Sequence, residues 1–216
     1  MTSGKDYFET FCNLSQAFGT AATVDELLQL IVSTAVETMG GKAACLYLDD
    51  QEQDLFVAKA KFGLSDKYIH ASPIKAQKVN LALEKKGYLV FEDATSDPRL
   101  ENHEAKKAEG IASILTVGVM VDGSLIGVLS LYTAEKYKFT NDDIVFLRAL
   151  AANGGIALKK AMLLELIEKN ASLFLELSSA INSSIDIKDV LTGMTEKTTK
   201  AMDLKGVSIQ LLDEDT

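Results

Sequence analysis

Ile111-Ala112-Ser113-Ile114-Leu115-Thr116-Val117-Gly118-Val119-Met120-Val121 is followed by Asp122-Gly123 and then by Ser124-Leu125-Ile126-Gly127-Val128-Leu129-Ser130-Leu131-Tyr132. Both flanks are rich in Val, Ile and Leu, residues that suit a pleated and largely buried surface. The Asp-Gly between them supplies the positive backbone angles of a tight type I′ turn. Two antiparallel strands are expected here, and the rest of the chain has to be arranged around them.

On the upstream side, Tyr88 to Phe91 reads as another strand. Asp93 to Leu100 reads as a loop, because the residue before Pro98 is driven out of the helical region. Glu101 to Glu109 reads as a short polar helix ending at Gly110, with Glu104, Lys106, Lys107 and Glu109 as a solvated mixed-charge face. Nearer the N-terminus, Asp6 to Phe18 and Val24 to Met39 carry apolar residues at helical spacing, and Thr23 with Glu26 forms a capping box. Gly40-Gly41 stops the second helix, and Ala43 to Leu48 and Leu55 to Phe62 form a hairpin about the acidic turn Asp49-Asp50-Gln51-Glu52. The segment Leu64 to Gly87 is mixed, with a short helix expected near Val79 to Lys85.

On the downstream side, Thr140 precedes Asn141-Asp142-Asp143, which places a capping hydroxyl and negative charge at the positive end of a helix dipole. No proline follows as far as Ile181, so one long helix is expected, with Gly154-Gly155 as the place where it could bend. In its second half Leu163, Ile167, Asn170, Phe174, Leu177 and Ile181 alternate spacings of four and three, the seam of a coiled coil. These residues either hold a homodimer, with Asn170 fixing the register, or pack on the modules at either end of the helix.

The chain also repeats itself. Leu14 to Asp50 returns without a gap as Leu177 to Asp213, an offset of 163 residues, with Leu14/Leu177, Ala17/Ala180, Leu28/Leu191, Met39/Met202 and Lys42/Lys205 identical. An offset of this size is too long for a solenoid unit and has the length of a small domain. The organisation expected is therefore a domain over residues 1–163, a connecting helix over 164–182, and the start of a second, incomplete copy of the domain over 183–216.

Composition limits the function. With 47% hydrophobic and 25% charged residues the chain can bury a core, and a net charge of −9 disfavours nucleic acid and anionic membrane as partners. No apolar stretch has the length of a membrane span and the N-terminus lacks a leader pattern, so a cytoplasmic location is expected. Cys12 and Cys45 have no CxxC spacing and read as buried free thiols. There is no G-x-S-x-G elbow, Walker loop, HExxH or Cys with a His partner, and no enzyme activity is expected.

The order of parts resembles that of GAF domains. The residues that carry the resemblance are Phe62-Gly63-Leu64-Ser65 with Tyr68, Asp93, Asp97-Pro98-Arg99-Leu100, Glu109-Gly110-Ile111, the Asp122-Gly123 hairpin, and Phe139-Thr140-Asn141-Asp142-Asp143. The resemblance implies an α+β fold, a twisted antiparallel sheet with helices on one face and a ligand pocket on the other, roofed by the variable middle segment. It also implies a sensory module that binds a small molecule and relays the event through the long helix to an output domain. A ligand-free dimerisation and relay module is the alternative.

The candidate pocket residues are Tyr68 and His70 in the roof, Asp97, Arg99 and His103 in the loop and helix before the main hairpin, and Ser113 on its first strand. The guanidinium fork of Arg99 could hold a carboxylate or phosphate, or Asp97 and Arg99 could simply brace their loop. His70 and His103 either converge on the pocket, where they could ligate a haem or other iron, or are partly exposed polar residues. No cofactor is named by the sequence. Lys75 to Asn80 stands where many relatives carry a glycine-rich turn, which weakens a nucleotide reading, and both cysteines precede Asp50, too early for the bilin-attaching or sulfoxide-reducing members of the family.

Overall fold

The computed structural model describes residues 7–21, 23–50, 55–71, 74–75, 83, 86–183 and 187–210. In chain order its elements are α1 (Tyr7–Thr20), α2 (Val24–Met39), β1 (Ala43–Asp50), β2 (Leu55–Phe62), α3 (Asp66–Ala71), β3 (Ile74–Lys75), β4 (Tyr88–Phe91), α4 (His103–Glu109), β5 (Ser113–Val121), β6 (Ser124–Thr133), α5 (Asn141–Ser183) and α6 (Ile187–Ala201). The chain divides into two compact units, Met1–Ala161 and Met162–Thr216.

In the first unit the described strands form one six-stranded antiparallel sheet in the order β3-β2-β1-β6-β5-β4. The β5–β6 hairpin turns where the sequence placed it, with Asp122 at φ 50° and Gly123 at φ 79°. Alternation divides the side chains between two cores. Ala44, Leu46, Leu115, Val117, Val119, Leu129 and Leu131 face α2 and the first half of α5, where Leu27, Ile31, Val32, Ala35, Leu147, Leu150 and Leu158 meet them. Ala43, Cys45, Tyr47, Ile114, Val128 and Tyr132 face the other way and are covered by Leu64, Tyr68, Leu83 and Phe91. This distal face is the one on which the family resemblance implies a pocket. Of the helix expected near Val79 to Lys85, only Leu83 is among the described residues, and it is buried there.

Helix α2 begins at Thr23, whose side chain accepts the Glu26 N–H at 3.2 Å, as the capping box requires. Helix α4 starts two residues later than expected, because Asn102 sits at φ 58° and a left-handed residue cannot belong to a right-handed helix. Its mixed-charge run is not uniformly solvated: Lys106 is 3% exposed, and its ammonium donates to the Glu101 carbonyl. The long aliphatic stem makes such burial tolerable, and desolvation lowers the Lys106 pKa.

The two glycines of α5 mark a close approach. A Cβ on Gly154 would lie 2.6 Å from Ile31 Cδ1, and one on Gly155 would lie 2.8 Å from Val119 Cγ1 and 3.2 Å from Val121 Cγ2. They let the helix press on α2 with one side and on β5 with the other. The helix is continuous through them from Asn141 to Ser183.

In the second unit the sequence repeat holds as geometry for one helix and its cap. Shifting α2 by the repeat offset lands on α6, and the Leu204 N–H bonds to the Thr199 carbonyl at 3.0 Å just as the Gly41 N–H bonds to the Val36 carbonyl at 3.1 Å. Asp203 takes φ 51° where Gly40 takes φ 66°. There the likeness stops. Val207 to Gln210 form no strand, although β1 stands at the matching place in the first unit. A strand needs a hydrogen-bonded neighbour, and no described residue supplies one. The second module expected over 183–216 is therefore not supported.

Gly155→Val should overpack the contact with β5 and destabilise the first unit by roughly 1–3 kcal/mol in urea unfolding. Gly19→Ala, with nothing within 4 Å of the new methyl, should leave the midpoint unchanged or slightly raised.

Candidate ligand site on the distal sheet face

Register places three polar side chains and one leucine in a row across the distal face. Cys45 pairs with Ser130, Ser130 with Thr116, and Thr116 with Leu89, so these residues cross β1, β6, β5 and β4 in line. Thr116 and Ser130 are buried, with their hydroxyl oxygens 2.8 Å apart. In the flanking rows, Tyr47 and Tyr132 bring their phenol oxygens within 3.3 Å of each other, also buried. Burial pushes both phenols well above their usual pKa, and pushes the Cys45 thiol up to about 12. Every one of these groups is therefore neutral at physiological pH. The Tyr68 ring, carried by α3, meets Tyr132 edge-on at 6.1 Å between centroids and is 4% exposed.

The loop after β4 borders this face. Asp93 accepts from the Thr95 N–H at 3.1 Å and the Thr95 hydroxyl at 2.7 Å, and pairs with Lys136 at 2.6 Å. The Lys136 contact, with the hydroxyl bonds, holds the Asp93 carboxyl well below the usual carboxylate range. Arg99 donates from Nε to Asp97 Oδ1 at 2.9 Å and from Nη2 to Asp97 Oδ2 at 2.6 Å. It also donates to the Val90 carbonyl at 3.0 Å and lies 4.6 Å above the Phe91 ring. His103 Nε2 donates to the Asp97 carbonyl at 2.8 Å, since a carbonyl can only accept. Asp97, Arg99 and His103 thus form one cluster, with the guanidinium fork turned onto its own loop.

Ser113 stands apart from that cluster. Its hydroxyl donates to the Glu92 carbonyl at 2.7 Å and accepts from the Tyr137 N–H at 2.8 Å. Tyr137 in turn donates its phenol proton to Asp143 Oδ2 at 3.1 Å. Asp143, in the first turn of α5, accepts from the Thr140 N–H and hydroxyl at 2.8 Å each and from the Tyr7 hydroxyl at 2.5 Å. Burial alone would raise the Asp143 pKa, but the donors Tyr7, Thr140 and Tyr137 outweigh it and hold the carboxylate ionised.

Five of the six residues chosen from sequence therefore fall in three places. Tyr68 lies on the distal face, and Asp97, Arg99 and His103 brace the loop. Ser113 bridges that loop to the segment before α5. His70 lies on α3 beside Tyr68 in the chain, and its side chain is outside the described residues. Sequence reasoning missed Tyr47, Thr116, Ser130 and Tyr132. The available signal was polarity out of place, since hydroxyls inside Val- and Leu-rich strands face a core only when something there can partner them. Cys12 is exposed rather than buried, and Cys45 is buried as expected. Among the described residues no group of His, Cys, Asp or Glu could hold a metal ion, and no helix is long and apolar enough to cross a membrane.

Comparison with known proteins agrees with this architecture. Residues 21–159 match the model of a family described as the GAF domain. The GAF domain of a phosphoenolpyruvate-protein phosphotransferase from Coxiella burnetii superposes with a TM-score of 0.67 at 20% identity, covering 76% of this chain and 99% of that one. The free methionine-R-sulfoxide reductase of Neisseria meningitidis gives 0.59 at 20% identity, covering 72% and 90%. The bacteriophytochrome RpBphP3 of R. palustris gives 0.67 at 10% identity, covering 93% of this chain and 46% of that one. At these identities the likeness concerns fold alone, and the three proteins differ in what they do. No curated protein matches the chain.

Two pH effects follow from the pKa shifts. Asp143 and Asp97 titrate below their unfolded values, so the stability they contribute is present above the unfolded carboxylate pKa of about 4 and is lost as pH falls through the folded values. Urea midpoints should drop on acidification below that point, and less steeply in Asp143→Asn. The Cys45 thiol ionises at about 9 when unfolded and about 12 when folded, so it weakens the fold as pH rises across that interval. At pH 8 a thiol reagent should modify Cys12 in the native protein and reach Cys45 only after denaturation, as read by mass.

Proposed function

The chain belongs to the GAF domain family, and we propose that it is a cytoplasmic sensory module. It binds a small neutral molecule over the hydroxyl-bearing distal face and passes the event to an output domain through α5. The observation that carries this is the hydrogen-bonded bridge from the Glu92 carbonyl through Ser113 and Tyr137 to Asp143, which joins the loop bordering the distal face to the first turn of the long helix. The buried polar groups that face the site are hydroxyls and a thiol that stay protonated, so they favour a partly apolar ligand with hydrogen-bonding groups and no net charge. Tyr47, Thr116, Ser130 and Tyr132 are the contacts, with Tyr68 above them. Asp97, Arg99, His103 and Ser113 act by holding the loop. We assign it no catalysis, since Cys45 is held as the thiol, the poorly nucleophilic form.

The exposed tail of α5 favours a second role, homodimer formation. Leu163, Ile167 and Phe174 are 55%, 56% and 70% exposed on one helix and belong to the seam read from sequence, with Asn170 between them. Large apolar side chains left open at coiled-coil spacing are best covered by an identical helix in register.

Native mass spectrometry of protein purified under mild conditions tests both parts. A dimer carrying an added small mass is the expected species. A bare dimer would remove the ligand and leave a relay module, while a bare monomer would remove the seam as well. Phe174→Glu should shift the dimer to monomer with the fold of the first unit intact by circular dichroism. Tyr137→Phe should cost about 0.5–1.5 kcal/mol of stability through one lost hydrogen bond while leaving ligand retention unchanged.

A further inference from the structure

Helix α3 is fastened at the surface by Ser65, although Tyr68, which it carries, is buried. Ser65 precedes the helix and accepts the Tyr68 N–H on its hydroxyl oxygen at 3.2 Å. It gives its own two donors to one partner: the Ser65 N–H lies 2.7 Å from Glu109 Oε1, and its hydroxyl lies 2.6 Å from Glu109 Oε2. Glu109 is the last residue of α4, so this carboxylate ties α3 to the element that follows the Arg99 loop. Burial by itself would raise its pKa. The Ser65 hydrogen bonds and the charges of Lys42 and Lys61 overcome that, and the group remains an anion. Lys61 also pairs with Asp66, the first residue of α3.

Load and fastening lie in different surroundings. Tyr68 is 4% exposed and covers the face that holds Cys45, Tyr47 and Tyr132, whereas Ser65 is exposed to water. Charge-assisted bonds at a surface can exchange with water without opening the helix-side core. We propose that Ser65 and Glu109 are the latch of a lid: when their paired bonds break, α3 moves and lifts the Tyr68 ring from Tyr132, admitting a ligand to the hydroxyl pair beneath. The placement of the ligand site is that of the proposed function, and the latch adds how access to it is controlled.

Cys45 is the built-in reporter, because it is fully buried in the same cluster as Tyr68. The rate of its modification by a maleimide at fixed pH, resolved from Cys12 by peptide mass, should rise about tenfold or more in Ser65→Ala and in Glu109→Gln. The double variant should react no faster than the faster single, since both changes break one device. Ser65→Thr keeps the N–H and a hydroxyl and should stay near the wild-type rate. Hydrogen exchange on the same variants should quicken in residues 64–71 and stay slow in β5.

Unchanged Cys45 rates, multiplying effects in the double variant, or equal loss of protection in β5 would each overturn the latch. No ligand enters these measurements. A latch that behaves as described beside a protein found bare by native mass spectrometry would therefore remove the ligand and keep the lid, and the reverse pair of results would do the opposite.

Discussion

Asp143 is the point on which the first unit is assembled. A buried carboxylate is costly unless every acceptor position is used, and this one takes donors from three parts of the chain: Thr140 before its own helix, Tyr137 from the segment after β6, and Tyr7 from α1. The Asp143 N–H returns a bond to the Thr140 hydroxyl at 3.2 Å, so the pair also caps α5. Tyr7 then stacks on Phe146 one turn further along, with ring centroids 4.4 Å apart. One ionised group thus fixes where the long helix begins, where α1 docks, and how the segment leaving the sheet approaches both.

From that anchor the sheet acquires two unlike faces. Towards the helices the packing is apolar, and close enough that two glycines are needed in α5. On the distal face the same strands carry Thr116, Ser130, Cys45, Tyr47 and Tyr132, which satisfy one another and leave little net charge. The first face is built for rigidity. Among the described residues the second is covered by short elements such as α3, tied at the surface through Ser65 and Glu109. Short surface-tied elements open at lower free energy than a core. Ser113 joins the two regimes, because its hydroxyl is shared between the loop of the distal face and the segment that ends at Asp143.

Most of this architecture could be read from local chemistry. The Asp122-Gly123 turn, the Thr23 cap and the proline-free run after Thr140 each act within a few residues, so their effect survives in any context. The residues of the distal face were harder, because what distinguishes Thr116 or Ser130 is the cross-strand partner, and register is not written in either strand alone. Lys106 and Glu109 misled for a related reason. A charged run looks solvated until a tertiary neighbour, here the Glu101 carbonyl or Ser65, takes one of its members. The internal repeat was legible and true of helix and cap, yet sequence could not tell a repeated helix from a repeated module. A strand exists only with its neighbour, whereas a capped helix satisfies most of its own backbone.

The proposed relay runs from the lid to the start of α5. Amide hydrogen exchange should be compared between protein purified under mild conditions and the same protein stripped by unfolding and refolding. Faster exchange in the stripped form at both α3 and residues 141–146 is the result predicted. A change confined to α3, or none at either place, would contradict it.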